Sequence, residues 1–110
     1  MEDCIFCKII EGKLDSEKII ETANSFAFKD IHPKAPVHIL IAPKRHVERP
    51  ELLNAHELED MFNTSEEIAQ ILGVKDDGYR LVFNVGKHAG QEVEHVHLHL
   101  LGGRVAKSMF

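Results

Sequence analysis

HVHLHLL, residues 95 to 101, sets three imidazoles among aliphatic side chains. On a β-strand alternate side chains share a face, so His95, His97 and His99 point one way while Val96, Leu98 and Leu100 point the other. The aliphatic set reads as the core face, which leaves the imidazoles lining the opposite surface. A rise of about 3.3 Å per residue puts the first and third imidazoles roughly 13 Å apart along the strand, too far for one ion to hold all three easily. Two neighbours could still chelate a metal at about 2.0 to 2.1 Å per bond. Eight histidines in 110 residues make an H-x-H-x-H by chance in roughly four arrangements in a hundred. A functional origin therefore outweighs accident.

Working outward, GKHAGQEVEH (86 to 95) leads into the histidine run. Its glycines would let backbone N–H groups approach an anion, and Asn84 and Gln91 add amide donors. A phosphoryl group over the imidazoles fits that setting, with the donors stabilising charge that develops in a transition state. VHILI (37 to 41) carries another histidine, His38, with Leu40 on its face. Alone it would read as a partly buried core histidine. Beside the triad strand it joins a cluster whose members disfavour one another's protonation, which keeps at least one imidazole neutral and nucleophilic at pH 7. The acid limb of any activity is then expected near the ordinary histidine pKa of about 6.5.

The remaining chain supplies a scaffold. Residues 5 to 11 read as a short helix stopped by Gly12, and 18 to 21 and 25 to 29 as a hairpin. A third strand, 37 to 42, lies between Pro36 and Pro43. Asn54 is a good N-cap with Glu57 three residues on, and Leu58, Met61, Phe62, Ser65, Ile68, Ala69 and Leu72 keep helical spacing up to Gly73. Strands over 79 to 85 and 94 to 101 complete an α+β domain of five mostly antiparallel strands with one long and one short helix, a single domain over 1 to 110.

A net charge of -5 with scattered cations gives no footprint for nucleic acid or an anionic membrane. The N-terminus MEDCIFCKII lacks the basic start and cleavage site of a secretory signal, and no apolar run has bilayer length, so a cytoplasmic location is expected. The two cysteines, Cys4 and Cys7, form one C-x-x-C. They can be half of a zinc site, a redox pair or two small hydrophobes; zinc needs two further ligands, and His46 and His95 are available.

HVHLHLL, together with IFCKII, DIHPKAPVHILIAPKRH, YRLVFNVGKHAGQEVEH and the closing GGR, resembles the histidine triad superfamily in its branch of Hint-type nucleotide-binding phosphoramidases. The resemblance implies a homodimer whose two sheets join into ten strands, and a purine nucleoside monophosphate or phosphoramidate bound with its phosphate over the triad. His97 would be the nucleophile on the α-phosphorus, forming a nucleotidyl-histidine that water hydrolyses. His99 would hydrogen-bond the phosphate and assist the leaving amine, while His95 and His38 orient the cluster. Asn84 and Gln91 would contact the phosphate and Asp30 the ribose hydroxyls. Ile5, Phe6, Ile9, Phe28, Ile31 and Leu40 match positions around the base. Bacterial relatives with the same cysteine pair imply a structural zinc on Cys4, Cys7, His46 and His95. Glu92 stands where many animal relatives carry a serine that touches the phosphate. Two other readings use the same pocket: a dinucleoside polyphosphate hydrolase, and a nucleotide-sensing or adaptor module without turnover.

Overall fold

A computed structural model describes residues 3–107. One antiparallel sheet holds β1 (Lys18–Glu21), β2 (Ser25–Lys29), β3 (Val37–Pro43), β4 (Tyr79–Phe83) and β5 (Leu98–Gly102), in the spatial order β1-β2-β3-β5-β4. The two helices are α1 (Ile5–Ile10) and α2 (Ala55–Ile71). Short 3-10 turns at Pro50–Leu52 and Lys87–Ala89 add to the elements expected from sequence.

The long helix starts where its cap chemistry requires. The Asn54 side chain accepts from the Glu57 N–H at 2.8 Å, and the Glu57 carboxylate accepts from the Asn54 N–H at 2.9 Å, a reciprocal capping box. Glu57 is buried and also receives both arms of Arg45, at 2.7 and 2.8 Å. That fork holds its carboxyl below the usual range and anchors the chain beyond β3, next to His46, to the start of the helix. Arg45 thus ties the scaffold to a candidate ligand. Phe62, expected on the packed stripe, is partly exposed and stacks edge-on to Phe83 at 6.4 Å, while Thr64 is buried instead.

Alternation splits the interior into two clusters. Ala27, Ile39, Ile41, Leu98 and Leu100 pack with Met61, Ile68 and Ala69 of α2 on one face of the sheet. Phe26, Phe28, Leu40 and Ala42 face the other way and meet Phe6 of α1. Fully burying a leucine or isoleucine contributes about 1.5 to 3 kcal/mol. A one-residue slip of β5 would exchange its leucines for imidazoles and lose several such contributions, which fixes the register.

The last strand is shorter than its alternation suggests, beginning at Leu98 rather than near residue 94. Its first residue, Leu98, pairs with Ile41 on β3 and Phe83 on β4. Beyond Ile41, Pro43 has no N–H to offer a neighbour, and its carbonyl accepts from the His95 ring at 2.8 Å. His95 and His97 therefore sit on an approach segment outside the ladder, tied by the Val96 N–H to the Val47 carbonyl at 2.6 Å. The chain likewise leaves β4 at Phe83 rather than Val85, placing Asn84 just past the strand.

Candidate active site and metal centre

The imidazole face is not open surface. His95 is fully buried, His97 is 8 % exposed and His38 is buried, with His99 partly covered. Phe6 of α1 lies edge-on over the row, its ring 4.8 Å from that of His97 and 5.9 Å from that of His95. The short helix supplies the cover, so both faces of the histidine segment pack inward.

Hydrogen bonds decide where each imidazole keeps its proton. The Nδ1–H of His97 donates to the carbonyl of His95 at 2.7 Å, which leaves Nε2 with its lone pair. The Lys34 backbone N–H donates to Nδ1 of His38 at 3.1 Å. His38 therefore carries its proton on Nε2 and donates it to Nδ1 of His99 at 2.9 Å. The proton of neutral His99 then sits on Nε2, an atom that is buried and has no partner among the described residues. The His97 and His99 rings are 4.9 Å apart. A basic nitrogen and an unpartnered N–H donor thus occupy neighbouring rings, as a nucleophile and a proton donor require.

Burial keeps these rings neutral. It lowers the pKa of His97 and, against the nearby Asp30 carboxylate, that of His38. For His99, burial first and then the neighbouring His97 and His38 bring the value down to about 4. The expected acid limb near 6.5 is therefore displaced downward. Since burial disfavours protonation of His97 in the folded protein, the acid limb of kcat/KM should have its midpoint below 6.5. Stability contributed by neutral His99 is complete above the unfolded value and is lost as pH falls towards about 4. A pH–rate profile in kcat/KM checks this, and a midpoint at 6.5 would contradict it.

The other expected site residues distribute around this pair. Antiparallel pairing of β2 with β3 brings Asp30 beside His38: the Asp30 N–H donates to the His38 carbonyl at 3.1 Å, and its Oδ2 lies 3.4 Å from His38 Nε2. Phe6, Phe28 and Leu40 are buried and Ile9 is partly buried, whereas Ile5 is 47 % and Ile31 84 % exposed. The Asn84 amide makes no hydrogen bond among the described residues. Gln91 is differently placed: its oxygen accepts from the Gly86 N–H, and its amide donates to the Glu48 and Val93 carbonyls. The N–H groups of Ala89, Gly90 and Gln91 also bond within the loop. The loop glycines serve its turns, with φ of 81° at Gly86 and Gly90, and a phosphate contact by Gln91 requires exchange of a bond it already makes.

The cysteine pair belongs to a second cluster. Cys4 caps α1, its sulfur accepting from the Cys7 N–H, so the helix start itself sets the pair. Nδ1 of His95 lies 3.4 and 3.5 Å from the Cys4 and Cys7 sulfurs, and Nδ1 of His46 lies 3.3 Å from Cys7. All four ligand atoms fall within 4.8 Å of one another. Tetrahedral zinc with bonds of about 2.3 Å to sulfur and 2.0 to 2.1 Å to nitrogen would have S···N edges near 3.6 Å, so the donor set fits. The His95 Nε2–H is held by the Pro43 carbonyl, which turns Nδ1 towards the sulfurs. Burial, then Cys4, pushes the Cys7 thiol up to about 11. That disfavours Cys7 as an attacking redox thiol, which needs a lowered pKa. The group can hold a metal ion.

Sequence reasoning placed the histidines but missed the backbone groups that orient them: the carbonyls of Pro43 and His95 and the N–H of Lys34. Every residue carries such groups, so no sequence signal marks them.

An antiparallel α+β fold presenting ordered imidazoles beside a hydrophobic wall defines a class of hydrolases that use a histidine row. A family model for the HIT domain matches residues 11–106, and the chain belongs to the HIT, or histidine triad, family. A purine nucleoside phosphoramidase of Escherichia coli K12 is 43 % identical over 106 residues, covering 94 % of this chain and 89 % of that protein. A HIT family hydrolase from Clostridium thermocellum superposes with a TM-score of 0.95 at 42 % identity, covering 100 % of this chain and 99 % of that one. One from Legionella pneumophila gives 0.91 at 44 %, covering 96 % of each chain.

Proposed function

We propose that the protein is a purine nucleoside phosphoramidase acting through a nucleotidyl intermediate on His97. The observation that carries this is the pairing of a lone pair on His97 Nε2 with an unpartnered Nε2–H on His99. The similarity to a phosphoramidase of Escherichia coli supports the substrate class.

In this reading the purine packs against the wall of Phe6, Phe28 and Leu40, with Ile5, Ile9 and Ile31 around it. Asp30 accepts from the ribose hydroxyls, and Asn84 and Gln91 donate to the phosphate. A bound phosphate anion offsets the desolvation that depresses His99, so the His38–His99 pair takes up one proton from solvent. Nε2 of His97 attacks phosphorus as the P–N bond of the substrate breaks, and the departing nitrogen takes the proton from His99. The nucleotidylated imidazole is cationic, and its Nδ1–H stays bonded to the His95 carbonyl, which stabilises that charge. Water then attacks phosphorus and gives its proton to the pair, the electron pair returns to His97 Nε2, and the nucleoside monophosphate leaves.

Cys4, Cys7, His46 and His95 would hold a structural zinc, whose chemistry is to bind thiolate and imidazole without redox change. The described helices include none long and apolar enough to cross a membrane, and a cytoplasmic homodimer with a ten-stranded sheet remains part of the proposal. A panel tests the substrate class: kcat/KM for adenosine and guanosine phosphoramidates should exceed that for a dinucleoside polyphosphate by at least about tenfold. The reverse order would make the protein a polyphosphate hydrolase, and binding without turnover an adaptor.

A further inference from the structure

The hydrogen bonds of His38 and His99 restrict where an added proton can go. Nδ1 of His38 accepts from the Lys34 N–H, and its Nε2 carries the hydrogen that bonds to His99 Nδ1. Nε2 of neutral His99 carries a hydrogen of its own. The one vacant basic position in the pair is therefore His99 Nδ1. A proton placed there sets two N–H groups facing each other across 2.9 Å, with no acceptor between them. The pair can hold a cation only if the hydrogen on His38 finds another partner.

Asp30 stands where that partner is needed. Its Oδ2 lies 3.4 Å from His38 Nε2, and one of its oxygens is within 4.8 Å of a ring nitrogen of both histidines. Backbone holds it there: the Asp30 N–H donates to the His38 carbonyl at 3.1 Å, and Oδ1 accepts from the His32 N–H at 2.8 Å. This Asx turn commits Oδ1 and leaves Oδ2 towards the pair. The side chain is only 19 % exposed, which limits screening of its charge. Lys34 works against a cation on either ring, and the His97 imidazole against one on His99. From β4 the residue opposite His99 is Val82, and α1 brings Phe6 against His97. Among the described residues Asp30 is the one acid that acts appreciably on either ring.

We propose that Asp30 is the acceptor that lets the His38–His99 pair hold a proton, and hence a positioning residue for delivery of that proton to the leaving nitrogen. The inference rests on the phosphoramidase reading and is separate from the contact of Asp30 with ribose. In the cationic pair the Nε2–H of His38 is received by Asp30 Oδ2, and His99 carries hydrogen on both nitrogens. As the P–N bond breaks, its electron pair goes to nitrogen, which takes the hydrogen from His99 Nε2 and leaves His99 neutral with hydrogen on Nδ1. Water attacking the nucleotidyl group returns a hydrogen to Nε2, and the pair gives up the extra proton to solvent as the nucleoside monophosphate departs.

Single-turnover assays test this with two leaving groups: the amine of an adenosine phosphoramidate, and the p-nitrophenolate of an AMP p-nitrophenyl ester, which departs without a proton. At saturating substrate Asp30→Asn should slow amine release at least about tenfold more than phenolate release, and Asp30→Glu should restore part of the difference. The basic limb of kcat on the amine should move down by about one pH unit or more in Asp30→Asn, because an opposite charge favours the protonated form and its loss disfavours it. The same two leaving groups on 2′,3′-dideoxyadenosine, which offers Asp30 no hydroxyl, should show the same selective loss. In wild-type protein with AMP bound, imidazole nitrogen NMR shifts at neutral pH should report hydrogen on both nitrogens of His99, a readout that needs no variant to fold. Equal losses on the two leaving groups, an unmoved basic limb, a selective loss confined to substrates with ribose hydroxyls, or a lone pair on His99 Nδ1 in the AMP complex overturns the inference while phosphoramidase activity stands. Wild-type protein inert towards the phosphoramidates overturns the function reading and the inference with it.

Discussion

His97→Ala should lower kcat/KM on an adenosine phosphoramidate by at least about 10³-fold, with AMP affinity changed less than about fivefold. In the proposed mechanism the imidazole Nε2 forms the bond to phosphorus, and alanine leaves nothing in its place. On the proposed reading binding rests elsewhere, on the buried cluster of Phe6, Phe28 and Leu40 and on donors around the phosphate. His97 also packs against Phe6 at 4.8 Å, so removal opens a cavity. His97→Gln retains more of that volume and separates lost packing from lost chemistry. Calorimetry with AMP and single-turnover assays on both variants make the measurement. Substantial activity in either, from material free of wild-type protein, would move the nucleophile to another residue.

Metal removal should produce the second large effect. Protein purified without added metal should carry about one equivalent of zinc, and a strong chelator should lower the melting temperature by at least about 10 °C. Cys4→Ser and Cys7→Ser should show the same loss without chelator, whereas His32→Ala, at an exposed position outside the group, should not. The ligands come from α1, the segment after β3 and the approach to β5, so an ion would join three parts of the chain distant in sequence. Activity should decline with the metal, because the carbonyl that orients His97 belongs to the ligand His95. Less than about a tenth of an equivalent of zinc, or a melting curve indifferent to the chelator, would refute a structural metal.

What the sequence disclosed follows from how each interaction is encoded. Strict alternation over residues 95 to 101 identified the leucine face and the imidazole face, because burying Leu98 and Leu100 dominates the register. The Asn54 and Glu57 pair located the start of α2, since the capping box joins side chains at fixed spacing. Alternation could not say where β5 begins. Side-chain period continues through His95 and His97, but the ladder ends because Pro43, far away in sequence, offers no N–H. Nor could it show that the imidazole face is covered, which depends on Phe6 folding over it from α1. For Gln91, residue type suggested a phosphate donor, while the structure commits its amide hydrogens to the Glu48 and Val93 carbonyls.

The early end of β5 also changes how the nucleophile is kept still. His99 shares the hydrogen-bond lattice of a central strand, whereas His97 sits on a segment whose backbone is pinned at Val96 and whose rings are clamped by carbonyls and by Phe6. In the proposed mechanism donor and nucleophile are therefore neighbours in space held by different means, the donor by the ladder of the sheet and the nucleophile by side-chain and loop contacts that the ladder does not reach.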